Sequence, residues 1–242
     1  MSTVETNTTA AKLELRRATF ASRANLDETI KQQRDVLRCV DVAVVAQELA
    51  ARSATANDAS DAAEDGSSLF AVVDESGPLD GLVVATYLSY GAEPDTKGIA
   101  DLLIDLGALV LAPVIETGAE SSGSVPEPRW AWYHGETSLT RRGIPQPTGA
   151  VLGPEALALA DLVIVPGLAG GRDGSRIGTG GGWYDRALPH GRADALRILL
   201  LNEDEVYDTV PSEAHDVAMD AIVTEAGLIV IHRPGSQSTV TK

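Results

Sequence analysis

One stretch decides the fold of this chain, Asp161-Leu-Val-Ile-Val-Pro-Gly-Leu-Ala-Gly-Gly-Arg-Asp-Gly-Ser-Arg-Ile-Gly-Thr-Gly-Gly-Gly-Trp-Tyr-Asp185. Its first part, Leu162 to Val165, is an apolar run typical of a short buried strand, and Pro166-Gly167 ends that strand. A glycine-rich loop follows, and Trp183 to Leu188 begins like a helix. The pattern therefore predicts a strand, a glycine loop and the first turns of a helix.

This order of elements is suited to holding a phosphate group. Glycines allow backbone N–H groups to converge on an anion, and a helix N-terminus adds about half a positive charge. Arg176 offers charge-assisted donors. Asp185 would repel a bound phosphate unless a cation lay between them, which makes it a candidate Mg²⁺ ligand. The alternative is a flexible surface loop without a ligand, because such glycine loops are common.

Composition limits the classes of partner. The chain has 242 residues, 44% of them hydrophobic, which suffices for one large core. Its net charge of −16 disfavours a nucleic-acid or anionic-membrane surface, so we expect neither partner. A protein this acidic must gather its few cations wherever it binds an anion. The sequence has no signal-peptide pattern and no apolar run that would span a bilayer, and we expect a cytoplasmic monomer.

Two helices are predicted near the N-terminus. The first covers Lys12 to about Ala24, where Lys12 and Arg16 point the same way because they are four residues apart. The second runs from about 27 to 52, with Asn25 or Asp27 as its cap. We expect Leu13 and Phe20 to lie on one apolar side of the first helix. The apolar stripe predicted for the second consists of Ile30, Val36, Leu37, Val40, Val44, Val45 and Leu49.

The rest of the chain alternates strands and helices. Leu82–Leu88, a helix over 95–106 that stops at Gly107, and Ala108–Val114 form a predicted βαβ unit, which is parallel and right-handed. Further strands are predicted at 129–134, 197–201, 221–225 and 228–232. These elements predict an α/β fold: a single domain whose mostly parallel central sheet is flanked by helices, with an N-terminal helical pair. Ligands of such sheets sit beyond the carboxyl ends of the strands.

Segments of low complexity set the expected domain limits. Residues 1–10 are polar and Thr-rich, and we expect a disordered tail there. The α/β domain then covers 11–233, and 234–242 form a second tail. Residues 53–81 look like an insertion that is partly flexible, because 53–68 are almost entirely Ala, Asp, Ser and Gly. An extra strand is expected at Leu69–Val73, with a turn at 79–81.

The order of these motifs and predicted elements resembles that of the 5-formyltetrahydrofolate cyclo-ligase family, whose members are also called 5,10-methenyltetrahydrofolate synthetases. The resemblance covers about 12 to 225. The glycine loop that ends in aromatic-Tyr-Asp is the most specific part of it. The residues that carry the resemblance are Lys12 and Arg16, Tyr87-Leu-Ser89, Glu93-Pro-Asp-Thr96, Ile144-Pro-Gln-Pro147, Val165-Pro-Gly-Leu168, Arg176 to Arg186, Pro211, His215-Asp216, Asp220 and Val223-Thr-Glu225.

The resemblance implies an ATP- and Mg²⁺-dependent reaction. The formyl oxygen of 5-formyltetrahydrofolate would take the γ-phosphoryl group of ATP, N10 would attack the activated carbon, and phosphate would leave. The products would be 5,10-methenyltetrahydrofolate, ADP and phosphate. Enzymes catalyse phosphoryl transfer mainly by positioning the reacting groups with cations, metal ions and backbone N–H groups. The glycine loop and the cations near it provide groups of these kinds.

The resemblance also implies roles for individual residues. Asp185 and Asp216 match metal ligands, whereas His215 has a weaker case and is expected to be structural or exposed. Leu88, Glu93 and Trp183 match positions that contact the folate. Arg176 and Trp183 are expected at the catalytic centre. The ATP-binding set is Lys12, Arg16, Arg176, Gly178, Thr179, Gly180, Gly181, Gly182 and Tyr184.

Two departures from the family pattern affect the substrate side. Trp183 stands where the family usually has Tyr, so the phenol OH is missing although a flat ring remains. Gly170-Gly171 stand where many members have Phe-Asp, which predicts looser or wider substrate contact. These departures leave two alternatives open. The first is a paralogue of the same fold that acts on another substrate. The second is a protein that binds a nucleotide or folate without turnover.

Overall fold

The computed structural model describes residues 3–61, 77–116, 126–213 and 216–231. In this part of the chain, twelve strands form one large sheet and two small ones. The strands are β1 Val83–Thr86, β2 Leu109–Val114, β3 Arg129–Tyr133, β4 Thr137–Leu139, β5 Pro145–Pro147, β6 Leu162–Pro166, β7 Ala169–Gly171, β8 Arg176–Ile177, β9 Leu196–Leu200, β10 Val206–Tyr207, β11 Ala221–Thr224 and β12 Gly227–Val230.

The large sheet has the order β12-β11-β9-β6-β1-β2-β3. Its five inner strands are parallel, and β12 and β3 add antiparallel edges. The predicted mostly parallel α/β sheet is therefore confirmed. β6 lies at the centre, where Leu162 to Val165 are almost fully buried between β1 and β9. A strand that is buried on both faces has a continuous apolar sequence, and this pattern predicted the strand.

The βαβ unit joins β1 to β2 through helix α3, Lys97–Asp105. Ile99, Ala100 and Leu103 form its buried face. The Asp95 carboxylate accepts hydrogen bonds from the backbone N–H groups of Lys97 and Gly98 and so caps the start of the helix. Gly107 ends the segment with a φ of 102°, a left-handed conformation that favours glycine.

Helices α1, Thr3–Ala24, and α2, Glu28–Asp61, form the predicted N-terminal pair. Asp27 caps α2, since its Oδ1 accepts from the N–H of Thr29 at 2.9 Å. Residues 3–10, for which we expected a disordered tail, lie within the bounds of α1. Extending a helix that is already held by packing adds a hydrogen bond per residue without a new nucleation cost. Residues 53–61 likewise continue α2.

The predicted apolar stripes of the two helices do not face the protein. Phe20 on α1 is 50% exposed, and Val36 on α2 is 63% exposed. The same holds for most of the predicted stripe: Leu13, Ile30, Leu37, Val40 and Val44 are exposed, whereas Val45 is buried and Leu49 partly so. The buried side chains of α1 are polar, Thr19 and Arg23, whereas α2 buries Arg38 together with three apolar core residues, Val42, Val45 and Ala46. Carboxylates and carbonyl oxygens of distant segments accept hydrogen bonds from the buried polar groups.

Shorter elements complete the architecture. The glycine loop contains β7 and β8 and ends in helix α4, Trp183–Ala187. Single 3₁₀ turns lie at Pro154–Leu159, Leu188–His190 and Glu203–Glu205. The predicted strand at 69–73, His215 and the tail at 234–242 lie outside the described residues.

Candidate active site at the glycine loop

The front half of the glycine loop is folded into strands. Gly171 N–H donates to the Ser175 carbonyl at 2.7 Å, and Leu168 N–H donates to the Ile177 carbonyl at the same distance. β7 pairs with β8 and, on its other side, with β10. Residues 172–175 form the tight turn between β7 and β8, whereas the rear half, Gly178–Gly182, is a loop in which Thr179 to Gly181 are exposed. The backbone N–H groups available to an anion therefore lie in this rear half, next to α4.

Gly170-Gly171 do not leave a gap in the front half. A Cβ on Gly170 would lie 2.6 Å from a methyl group of Leu199, so core side chains already fill the space. A Cβ on Gly171 would overlap the Asp173 carboxylate, which is held by Ser175 and Thr209. Leucine methyls and Asp173 thus fill the space beside the two glycines, and the expected widening is absent from this part of the loop.

Helix α1 contacts the glycine loop through its polar face. Arg16 Nε donates to the Gly178 carbonyl at 2.9 Å, and Thr19 Oγ1 donates to the Leu168 carbonyl at 2.8 Å. The Arg16 guanidinium carbon lies 3.4 Å from where a Cβ of Gly180 would be, and Gly180 has a φ of 98°. Position 180 therefore requires glycine for two reasons, its left-handed conformation and the close approach of Arg16.

Arg176 faces the same rear half from β8. Its Nη1 lies 3.2 Å from the Cβ position of Gly178, and its Nη2 donates to Asp185 on the first turn of α4. Arg176 is buried, and its Nε has no hydrogen-bond partner among the described residues. Two guanidinium groups, one from α1 and one from β8, thus meet at Gly178, and one of them keeps an unused donor.

Lys12 reaches the loop that precedes β11. Its Nζ lies 2.8 Å from Glu213 Oε1 and 3.7 Å from Asp216 Oδ2. Because Lys12 is one helical turn from Arg16, this contact places Asp216 beside the helix that also touches the glycine loop. Tertiary structure therefore brings Lys12, Arg16 and Asp216 together from the two ends of the chain.

The donor set is suited to Mg²⁺. Mg²⁺ prefers oxygen ligands and commonly takes one or two carboxylates together with phosphate oxygens. The Asp185 side chain is 39% exposed and that of Asp216 is 17% exposed, so both are accessible to an ion. Within the described ranges, no group of three or more His, Cys, Asp and Glu side chains is gathered around one point. An ion held here would depend on phosphate oxygens for further ligands.

An aromatic cluster lies at the start of α4. Trp183 has its ring centroid 5.0 Å from that of Trp130 on β3 and 4.9 Å from that of Tyr184. Trp130 Nε1 and Tyr184 Oη are buried and have no hydrogen-bond partner in the part of the chain that is described. Trp183 is half-buried, so one part of its ring remains available. The cluster combines a flat apolar surface with two unused polar groups.

Leu88 and Glu93 follow strand β1, and Glu93 is near enough to Tyr184 of the aromatic cluster to affect its pKa. Leu88 is buried, and Glu93 Oε2 accepts from the Tyr90 N–H at 2.9 Å. Burial raises the pKa of Glu93, and the Tyr90 hydrogen bond and the Arg23 charge oppose that rise. Burial also raises the pKa of Tyr184, and the nearby charge of Glu93 raises it further. Glu93 is therefore a desolvated carboxylate close to the phenol of Tyr184.

Arg23 and Thr19 are site contacts that sequence reasoning did not assign. Arg23 Nη2 donates to the Gly167 carbonyl at 2.8 Å, at the start of the glycine loop. A signal for both was present, because Arg16, Thr19 and Arg23 follow the spacing of one helix face. Two aromatic residues of β3 have different partners: Trp130 contacts Trp183, whereas the Tyr133 hydroxyl donates to Asp101 on α3.

No helix among the described residues has the length and apolar character to cross a membrane.

Comparison with known proteins gives a consistent family. The model of the 5-formyltetrahydrofolate cyclo-ligase family matches residues 30–225. The 5-formyltetrahydrofolate cyclo-ligase of Mycolicibacterium smegmatis is 36% identical over 156 residues, which cover 63% of this chain and 79% of that protein. The enzyme of the same name from Escherichia coli K12 is 30% identical over 144 residues, which cover 58% of this chain and 76% of that protein.

Solved structures share the fold. The 5,10-methenyltetrahydrofolate synthetase of Aquifex aeolicus aligns with a TM-score of 0.59 and 22% identity, covering 94% of this chain and 96% of that one. The synthetase of Mycoplasma pneumoniae aligns with a TM-score of 0.55 and 15% identity, covering 88% of this chain and 98% of that one. At these identities the structures support the fold alone. The match to the family model over most of the chain, together with the curated relatives, shows that the chain belongs to the 5-formyltetrahydrofolate cyclo-ligase family.

Proposed function

We propose that this protein converts 5-formyltetrahydrofolate to 5,10-methenyltetrahydrofolate with the consumption of ATP. The observation that carries the proposal is the meeting of Arg16 and Arg176 at Gly178. Two guanidinium groups beside an exposed glycine backbone form a site for a polyanion. In a protein of net charge −16, such a concentration of cations calls for an anionic ligand.

The nucleotide would lie along the rear half of the glycine loop. Arg176 Nε is the donor that needs a partner, and a phosphate oxygen is a suitable acceptor for it. Arg16 and Lys12 would supply further positive charge from α1. The N–H groups of Gly178–Gly182 would contribute more to phosphate binding than the dipole of helix α4, because α4 is only five residues long. Tyr184 would lie against the nucleotide.

Asp185 and Asp216 would hold Mg²⁺ between themselves and the phosphates. When bound, the ion would supply positive charge that offsets the negative charge of the transferring phosphoryl group. The accessibility of both carboxylates supports this assignment of the metal ligands.

The reduced folate would bind between β1 and the aromatic cluster. The flat ring of Trp183 would pack on the substrate, and Leu88 would provide an apolar wall. The Glu93 carboxylate would accept hydrogen bonds from the N–H groups of a pterin, which are donors of matching chemistry. Trp183 cannot transfer a proton through a phenol OH, so its role would be to orient the substrate.

The proposed reaction has two chemical steps. The formyl oxygen attacks the γ-phosphorus, so that an O–P bond forms and the bond to ADP breaks. N10 then attacks the formyl carbon and loses its proton, and phosphate leaves with the former formyl oxygen. Lys12, Arg16 and Arg176 would hold the transferring group in line, which is the main contribution a protein makes to phosphoryl transfer.

The experiment that tests this function is direct. The purified protein is incubated with 5-formyltetrahydrofolate, ATP and Mg²⁺, and the ultraviolet absorbance of methenyltetrahydrofolate is followed. We expect product only when ATP is present. Absence of an ATP-dependent product would refute the proposal, and binding of folate and ATP without turnover would identify a non-catalytic binding protein.

A further inference from the structure

Helix α2 has two apolar sides, and one of them does not face the core. Val42, Val45 and Ala46 belong to the main hydrophobic core. Nearly opposite to them around the helix, five large apolar residues are between 44% and 63% exposed: Ile30, Val36, Leu37, Val40 and Val44. The first side already packs α2 onto the protein, so the second side points to a further partner.

The exposed side follows a heptad pattern. Residues that alternate three and four positions apart form one line along a helix, like the a and d positions of a coiled coil. We call this line the seam, and it consists of Ile30, Gln33, Leu37, Val40, Val44, Gln47 and Ala51. All seven residues are exposed and none is charged. At about 1.5 Å per residue, the seam is on the order of 30 Å long.

The seam is nearly symmetric about Val40. Gln33 and Gln47 lie seven positions before and after Val40, and Val36, beside the seam, and Val44 lie four positions before and after it. An antiparallel second copy with Val40 on the two-fold axis would place apolar residues opposite apolar residues. Gln33 would then lie opposite Gln47 of the second copy, and two amides can donate to and accept from each other. A contact between identical chains requires this kind of self-complementarity.

The exposed area is sufficient for such a contact. The five large apolar residues present on the order of 400 Å² of apolar surface, and homodimer interfaces are about 65% apolar. The whole contact would then cover roughly 600 Å² per chain, which is the lower end of what each partner buries in a specific interface.

We propose that the seam of α2 is the self-association surface of this protein, and that two copies pack their seams together antiparallel about a two-fold axis. The inference departs from the monomer expected from the sequence, and it does not depend on the proposed function. A net charge of −16 disfavours an anionic membrane as the occupant. The uncharged seam also offers no charge by which to select a charged peptide.

Charge gives this dimer a characteristic dependence on salt. Asp41 lies beside Val40 and would approach its own counterpart near the two-fold axis. Each chain also carries a net charge of −16, so electrostatic repulsion opposes association. Salt screens this repulsion, and the dimer should therefore become tighter as the ionic strength rises. A contact held by ion pairs would weaken instead.

Sedimentation equilibrium of the full chain measures the association. The wild type should be dimeric at about 10 µM and above, since contacts of this size have micromolar or tighter dissociation constants. Val40→Glu places two carboxylates at the axis and should raise the dissociation constant at least about thirtyfold, as loss of a central interface residue does. Val40 is 55% exposed in the single chain, so thermal unfolding of the dilute variant should match that of the dilute wild type. Leu139→Glu is the matched control, because Leu139 on β4 is 71% exposed and outside the seam, and it should leave the dissociation constant unchanged.

A cross-link tests the two-fold geometry. In a Cys39→Ser background, which removes the native thiol, Val40→Cys should form a disulfide between two copies on oxidation, whereas Leu139→Cys should not. A single-chain mass of the wild type at every concentration would overturn the inference and leave the seam to a different protein. A dimer that persists unchanged in Val40→Glu, or that does not cross-link through position 40, would overturn it as well.

Discussion

Arg23 and Glu205 form a buried bidentate ion pair that joins helix α1 to the 3₁₀ turn Glu203–Glu205, which follows β9. Arg23 Nε lies 2.7 Å from Glu205 Oε1, and Nη2 lies 2.7 Å from Oε2. Both side chains are 3% exposed, and Nη2 also donates to the Gly167 carbonyl. Glu205 in turn accepts from the backbone and the side chain of Asn202. The pair is therefore one part of a fully buried polar network.

Removing only the cation should destabilise the protein strongly. In Arg23→Met the Glu205 carboxylate remains buried without its partner, and we expect a loss of about 3–5 kcal/mol in the free energy of unfolding. The double variant Arg23→Met/Glu205→Gln removes both charges and should recover most of this loss. Urea denaturation measures all three proteins.

Arg192→Met supplies the control for this series, because Arg192 is 40% exposed in its pairs with Asp161 and Asp194. An exposed pair contributes about 1 kcal/mol or less. If Arg23→Met cost no more than this control, the buried pair would have no special role in holding α1.

Glu93 should make the protein less stable as pH rises. Burial raises the pKa of this carboxyl above its ordinary value of 4.5, so the folded state binds the proton more tightly than the unfolded chain. The stability from this proton is complete below pH 4.5 and is lost as pH rises through the folded-state pKa. Glu93→Gln should abolish this loss, and denaturation curves at acidic and neutral pH measure it.

The same variant separates stability from function. Glu93→Gln should weaken folate binding by about 10- to 100-fold, the loss of a charge-assisted hydrogen bond, while ATP binding is retained. Equal stability changes in wild type and variant between the two pH values would show that Glu93 is not the desolvated group.

Trp183 should affect the folate more than the nucleotide. Its ring lies edge-to-face with Trp130 and close to Tyr184, so Trp183→Ala removes the flat surface of the aromatic cluster. We expect KM for the folate to rise by about tenfold or more, since aromatic contacts contribute about 0.5–1.5 kcal/mol beyond the buried area. Trp183→Tyr keeps an aromatic ring and should remain within about threefold of the wild type. A larger rise in KM for ATP than for folate would place Trp183 on the nucleotide side.

Two neighbouring glycines should respond differently to alanine. Gly180 has a φ of 98° and the Arg16 guanidinium beside it, so Gly180→Ala should cost about 1–2 kcal/mol of stability and weaken ATP binding. A Cβ on Gly181 meets no atom within 4 Å, so Gly181→Ala should leave thermal unfolding unchanged and report on the ligand alone. Equal unfolding temperatures for the two variants would contradict the strained geometry at position 180.

Much of the fold followed from local patterns. The continuous apolar run of β6 predicted a short buried strand, and the strand–helix–strand order of residues 82–114 predicted parallel pairing. Both signals are local, because burial on both faces and a right-handed crossover are properties of short segments. The resemblance added the candidate site residues, and the structure brings Lys12, Arg16, Arg176, Asp185 and Asp216 to one region.

The sequence by itself determined the α/β class, the position of the glycine loop and the need for cations beside it. Only the tertiary structure decided which faces of α1 and α2 point inward. Helical periodicity reveals two faces of a helix, but a polar face becomes the buried one only if distant residues satisfy its charges. Arg23 forms an ion pair with Glu205, 182 positions away in the chain, and Lys12 lies beside Asp216. The pairing of candidate metal ligands with candidate phosphate ligands is equally a product of folding, because ion pairs depend on distance in space and not on position in the chain.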